Sequence, residues 1–313
     1  MGRGFVVVQF QMLYAMKTRL ITLLVPVVAS LSCSRANQDC PLSDSDELQT
    51  IYACAESGDR SKTVIDNESA EITWTAGDEI NVFFGSSEGS RFVTSESGKT
   101  AKFKGSIDVV TGGGEGLDDD TSLWGVYPYS SSNTCDGNGI TLRLPSVQEA
   151  AENTFAKGLF PQIARSQNFY MSFYNVCGGV RFSVSNPDIC SVTFSGNNGE
   201  PLAGTAKISI PLGGAPAIDE IIFGEKELVM NAPDGGCFKP GVTYYFVTYP
   251  TVFPEGLTIT YHKEDSSASY GISRSVEFKR GTFSRIKDKD AGLTFTPKTL
   301  DGWGKGETIG GRI

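Results

Sequence analysis

Few side chains in this chain are placed to do chemistry, and the foremost is Cys33. It closes the stretch MKTRLITLLVPVVASLSC at 16–33, where Lys17 and Arg19 precede an apolar run at 20–29 and small residues Ala29, Ser30 and Ser32 follow. Charge, apolar core and small residues in that order read as an export signal, and the core is too short to span a bilayer. A cysteine directly after the small residues points to lipidation of its thiol, with Cys33 the first residue of the mature chain, although Ser30 and Leu31 are swapped relative to the usual lipobox order. Cleavage near Ser32 with an unmodified Cys33 is the other reading of the same junction. Met16 begins a better signal than Met1, so residues 1–15 read as an upstream mis-called start.

Other chemistry is thin. The single histidine, His262, ends an alternating run and is expected to face solvent, and no GxSxG string accompanies it as a hydrolase nucleophile would. Gly112–Gly116 lacks the Lys-Ser/Thr of a phosphate loop, and its Glu115 would repel phosphate. Asp118, Asp119 and Asp120 lack EF-hand spacing and read as a solvated turn. Six cysteines follow Cys33, namely Cys40, Cys54, Cys135, Cys177, Cys190 and Cys237; they contain no CxxC, which argues against zinc. An even set suits an oxidising compartment, and fifteen pairings are open. Cys177 and Cys190 could meet if their strands are neighbours. No cofactor and no metal is called for.

The composition narrows the partners. Residues 1–33 hold three basic residues and no acid, so the remaining 280 residues carry 24 basic against 36 acidic side chains. That balance disfavours nucleic acid and anionic headgroups, and leaves membrane attachment to the lipid alone.

The elements that would carry these residues are strands. Short alternating runs recur between Gly, Ser and Asn clusters: Ile80, Val82 and Phe84; Ala101 and Phe103; Val180, Phe182 and Val184; Leu257, Ile259 and Tyr261. The expected organisation is a signal at 1–33, a tether or first strand at 34–60, β domains at 61–165 and 166–296, and a flexible tail at 297–313. Within 34–60 a strand is expected near Leu48–Ala53. Residues 146–166 are expected to connect the domains, with a short helical turn at 148–153. Asn197-Asn198-Gly199 is expected to make a hairpin turn, and Gly178-Gly179 a bulge or a close backbone crossing.

Several strings together resemble the fimbrillin-like lipoproteins, the type V pilin superfamily of Gram-negative anaerobes. They are ITWTAGDEINVF (72–83), AKFKGSI (101–107), LWGVYPYS (123–130), FYNVCGGVRFSV (173–184), VTFSGNNGEPLAG (192–204), the run at 232–260 and VEFKRGTFSRIKDKDAGLTF (276–295). The resemblance covers most of 63–295. It implies an all-β fold of two tandem transthyretin-like Greek-key sandwich domains, a palmitate-type lipid anchor in the outer membrane, and cell adhesion as a stalk, tip or anchor component of fimbriae. It also implies donor-strand exchange: an arginine-specific protease cuts after the first strand, which leaves a groove for a strand of another subunit. The matching position is Arg60, which reads equally well as an ordinary loop residue. Expected partners are other fimbrial subunits and a host or bacterial surface protein or glycan. A second hypothesis is a glycan-binding lipoprotein of a carbohydrate uptake system, with Trp124, Tyr127, Tyr129 and Trp303 as stacking rings. Neither reading is enzymatic.

Overall fold

The computed structural model describes residues 48–56, 68–69, 73–85, 88–107 and 122–298. Cys33, Cys40, Arg60, Trp303, the acidic run at 118–120 and residues 299–313 lie outside them. The described residues contain no α-helix, only a 3-10 turn at Pro233–Gly235. The protein is all-β.

In chain order the strands are β1 (Gln49–Ala55), β2 (Glu68–Ser69), β3 (Glu79–Phe84), β4 (Ser90–Thr94), β5 (Thr100–Gly105), β6 (Leu123–Tyr127), β7 (Thr134–Cys135) and β8 (Ile140–Leu144). Next come β9 (Val147–Ala151), β10 (Thr154–Phe155), β11 (Gln162–Ser166), β12 (Tyr170–Asn175), β13 (Gly178–Ser183), β14 (Ser191–Gly196), β15 (Ala203–Ser209) and β16 (Ala217–Glu225). The last are β17 (Glu227–Asn231), β18 (Tyr244–Thr248), β19 (Thr251–Phe253), β20 (Leu257–His262), β21 (Ser266–Ile272), β22 (Val276–Phe278), β23 (Thr282–Lys287) and β24 (Thr296–Pro297).

Seven strands close a barrel in the order β1-β12-β11-β6-β3-β4-β5, and pairing of β1 with β5 completes the ring. Its interior follows the period-two rule. Ile51, Ala53 and Ala55 of β1, Ile80 and Val82 of β3, Phe92, Phe103, Leu123, Met171 and Phe173 point inward around the buried indole of Trp74. The opposite faces of β3, β6 and β11 carry Phe83, Trp124, Val126 and Ile163, which join a second core with the C-terminal strands. Burial on both faces explains why LWGVY reads as a continuous apolar run, and in β3 it covers the polar Asn81 as well.

The second core lies among sheets ordered β10-β9-β17-β14-β20-β21-β24, β18-β13-β23-β2 and β16-β15-β8-β7, with the pair β19-β22. Phe182, Phe194, Phe238, Tyr244 and Phe246 fill it with ring centroids 4.8–5.9 Å apart. Gly178 and Gly179 make the close backbone approach: a Cβ on Gly179 would sit 1.9 Å from the Phe246 carbonyl oxygen, and one on Gly178 2.0 Å from that of Lys279.

Three local expectations give way. Residues 147–151 form β9, parallel to β17, because Gln148 and Ala150 alternate inward with Val147 and Glu149 outward. The Asn197-Asn198-Gly199 turn has Gly199 at φ +72° but makes no hairpin. It joins β14, which pairs with β17 and β20, to β15, which pairs with β8 and β16. Cys190 is bonded to Cys237, and Cys177 is a buried free thiol. The two bodies also interleave: β7–β10 pair within the C-terminal sheets, whereas β11 and β12 return to the barrel. The expected boundary at 165/166 therefore falls inside β11.

Candidate functional site

The residues of interest gather around β1. Its alternation is QTIYACA, with Ile51, Ala53 and Ala55 buried and Tyr52 and Cys54 exposed. One side pairs antiparallel with β5, from Gln49 opposite Gly105 to Cys54 opposite Thr100. The other side pairs parallel with β12, from Tyr52 opposite Tyr170 to Ala55 opposite Phe173. Both ends are fixed by further bonds. The Gln49 side-chain oxygen accepts from the Ile107 amide at 2.8 Å, the Ala55 amide donates to the Lys99 carbonyl at 2.9 Å, and the Glu56 amide to the Phe173 carbonyl at 2.8 Å.

Two of the three inner side chains, Ala53 and Ala55, are small, and the core around them is rich in aromatic rings. Trp74 meets Phe103 of β5 at 5.0 Å and Phe173 of β12 at 5.2 Å, both edge-on, so the aromatic filling already spans the strands that flank β1. On the outside Tyr52 stacks on Tyr170, centroids 4.7 Å apart and planes 16° from parallel. These rings border a shallow cleft of about 330 Å³ with Glu96, Lys102 and Ser172.

At the C-terminal end of β1, the Glu56 carboxylate grips Arg280, from the turn between β22 and β23. Arg280 Nη2 donates to Oε1 at 2.8 Å and Nη1 to Oε2, which also accepts from the Asn175 amide at 2.8 Å. Nη1 donates to the Asn175 carbonyl as well, at 2.9 Å. Both side chains are mostly buried. A bidentate, charge-assisted pair of this kind is stronger and more directional than an exposed lysine–carboxylate contact. It ties the end of the first strand to a residue 224 positions away.

Of the proposed stacking rings, Trp303 lies outside the described residues, and the other three differ in exposure. Trp124 is fully buried beneath the Arg165 guanidinium, 4.7 Å from its ring. Tyr127 packs edge-on against Trp74 at 5.4 Å, and burial holds its phenol well above the ordinary range. Tyr129 remains half-exposed near Arg91. Exposed rings occur instead at Tyr52, Phe169, Tyr170 and Phe223. His262 does not face solvent freely: it is half-buried, with Nε2 2.9 Å from Thr193 Oγ1, and burial together with nearby Lys298 lowers its pKa. Among the described residues no three His, Cys, Asp or Glu side chains converge to hold a metal. Sequence reasoning missed Glu56 and Arg280. Arg280 sits within a string already noticed, but nothing local marks its partner.

No family model and no curated protein matches the chain. Solved structures similar to it include a candidate cell adhesion protein from Bacteroides ovatus, 14% identical, covering 80% of this chain and 95% of that one with a TM-score of 0.48. A second candidate cell adhesion protein, from Parabacteroides distasonis, is 8% identical over 80% of this chain and 90% of that one, with a TM-score of 0.36. A fimbrial protein from Bacteroides ovatus is 12% identical over 76% of this chain and 47% of that one, with a TM-score of 0.33.

Proposed function

We propose that this chain is a non-enzymatic cell-surface protein of the fimbrillin-like kind, lipidated at Cys33 and acting in cell adhesion as a fimbrial subunit, with β1 as its exchangeable strand. The strings spanning 72–295 support the kinship. The single observation that carries the mechanism is the position of β1, a strand of seven residues bonded on both sides, whose loss would leave two unpaired ladders facing one another. Such edges recruit a strand from another chain, since main-chain bonding is available to any sequence. Arg60 lies four residues beyond Glu56, so cleavage there would separate β1 from the rest of the chain while leaving it seated. The glycan-binding alternative loses Trp124 and most of Tyr127 as stacking surfaces, because both are covered.

Intact mass and N-terminal sequencing of protein recovered from its native cell surface test the reading. A chain beginning at Ser61 supports processing and strand exchange. A chain beginning at acylated Cys33 refutes processing and leaves an uncut anchor or cap. An unmodified, soluble chain refutes the lipid anchor.

A further inference from the structure

The bonds that hold β1 are of two kinds. The ladders to β5 and β12 use main-chain groups and accept any extended segment. The side-chain contacts do not, and they differ along the strand. Ala53 and Ala55 share one core cluster with the Trp74, Phe103 and Phe173 rings, and only a methyl group is seated at each of these two positions. At the Ile51 position, opposite Phe103, a large aliphatic side chain is seated. Beyond Ala55 stands the Arg280 guanidinium, held in place by its bond to the Asn175 carbonyl and by a turn in which Gly281 adopts φ +70° and donates to the Cys177 carbonyl at 2.8 Å.

Removal of β1 would take Glu56 with it. Arg280, only 26% exposed, would then keep a carbonyl acceptor but lose its carboxylate, and the Asn175 amide would lose its acceptor too. A half-buried cation and a backbone donor that share one vacated acceptor position favour an incoming acid. The fork of Arg280 matches a carboxylate better than an amide or hydroxyl does.

We infer that the groove beneath β1 selects its occupant by the Glu56–Arg280 geometry. The partner is an extended segment of another chain that carries a carboxylate opposite Arg280 and small side chains at the Ala53 and Ala55 positions. The segment runs in the direction of β1, antiparallel to β5, since only that direction brings an acid at its C-terminal end to Arg280. An outward aromatic at the Tyr52 position adds a stacking partner for Tyr170. This inference rests on β1 being exchangeable, as proposed above.

The test uses the full chain with a specific protease site inserted between residues 57 and 62, cut after folding. Dye-labelled peptides of sequence 49–56 then compete for the groove, followed by fluorescence anisotropy; all carry Cys54→Ser, because that side chain faces outward. The expected result is entry of the parent peptide, with Glu56→Gln, Ala53→Leu and Ala55→Leu peptides each weaker by about tenfold or more. In protein carrying Arg280→Gln, or Arg280→Lys where the first does not fold, the parent and Glu56→Gln peptides should differ less. Equal binding of all peptides to the parent protein, or an undiminished Glu56 preference without Arg280, overturns the selection rule while leaving exchange intact. Failure of every peptide to enter shows that β1 is fixed, and overturns the exchange reading and the rule together.

Discussion

Gln148→Met removes three polar contacts while nearly conserving side-chain length and volume. Gln148 Nε2 donates to the Val247 carbonyl at 2.7 Å and to the Pro145 carbonyl at 3.2 Å, and Oε1 accepts from the Val247 amide at 3.0 Å. Val247 belongs to β18, the outer strand of its sheet, and is fully buried, so no water replaces the lost partner. Leaving its N–H and C=O unsatisfied costs about 1–3 kcal/mol each, or about 2–6 kcal/mol together. Freeing the core of the Gln amide and burying a thioether in its place returns about 1 kcal/mol. A net loss near 3 kcal/mol is expected, which lowers Tm by about 6–12 °C in a domain of this size. Far-UV circular dichroism during thermal and urea unfolding measures it. Gln148→Glu sharpens the test. At neutral pH its carboxylate still accepts from the Val247 amide but has no proton for the Val247 carbonyl. Burial raises its folded pKa above the unfolded value near 4.3. The sign follows: relative stability is recovered below that unfolded value and lost as pH rises through the folded pKa. If Gln148→Met unfolds within about 0.5 kcal/mol of the parent, the side chain is not completing the edge of β18 and the reasoning is wrong.

Gly179→Ala should abolish soluble expression or cost more than about 3 kcal/mol, since its Cβ would meet the Phe246 carbonyl at 1.9 Å; a melting temperature within two or so degrees of the parent would contradict the packing. His262 has a folded pKa below its unfolded value, so it stabilises the fold fully above about pH 6.5, and that stability drains as pH falls through the unfolded and then the folded value. His262→Gln should therefore flatten the Tm–pH profile between about pH 7 and 5; an unchanged slope counts against the assignment. Among Cys54, Cys135 and Cys177, iodoacetamide at pH 8 should modify Cys54 first. Burial pushes Cys135 up to about 11 and Cys177 well above the ordinary thiol range. Peptide mapping that found Cys177 alkylated in the folded protein would refute its burial.

Where one face of a strand is buried and the other is wet, the fold was legible in the sequence. The alternation in 257–261 and 101–105 marked β20 and β5 directly; that in 180–184 marked β13 as well, although β13 is buried on both faces. β9 escaped because its inward polar residue, Gln148, reads as surface; only its partner, 99 residues away, reveals a core position. β16 escaped for the opposite reason, since Ala217–Glu225 is wet on both faces and carries no period at all. The first strand was expected within 48–53, yet its two partners, β5 and β12, are non-local and leave no mark on it. The Glu56–Arg280 pair lies beyond pattern reading for the same reason. The stacking rings were misplaced because an aromatic in a doubly buried strand and one on a wet face look alike in sequence; Trp124 is the first kind and Tyr170 the second.

The interleaved path has a mechanical consequence. The chain passes from barrel to C-terminal sheets after β6, returns before β11 and leaves again after β12. Beads joined by one linker swivel about it and stretch it first under tension. Here several covalent crossings run side by side, and Trp124, Val126 and Ile163 are clamped in the core between them. A pull on the C-terminal sheets therefore reaches the barrel through parallel load paths, with no single hinge to bend. The unit would resist bending where barrel and C-terminal sheets meet, and a chain truncated at residue 165 would carry a barrel missing one stave.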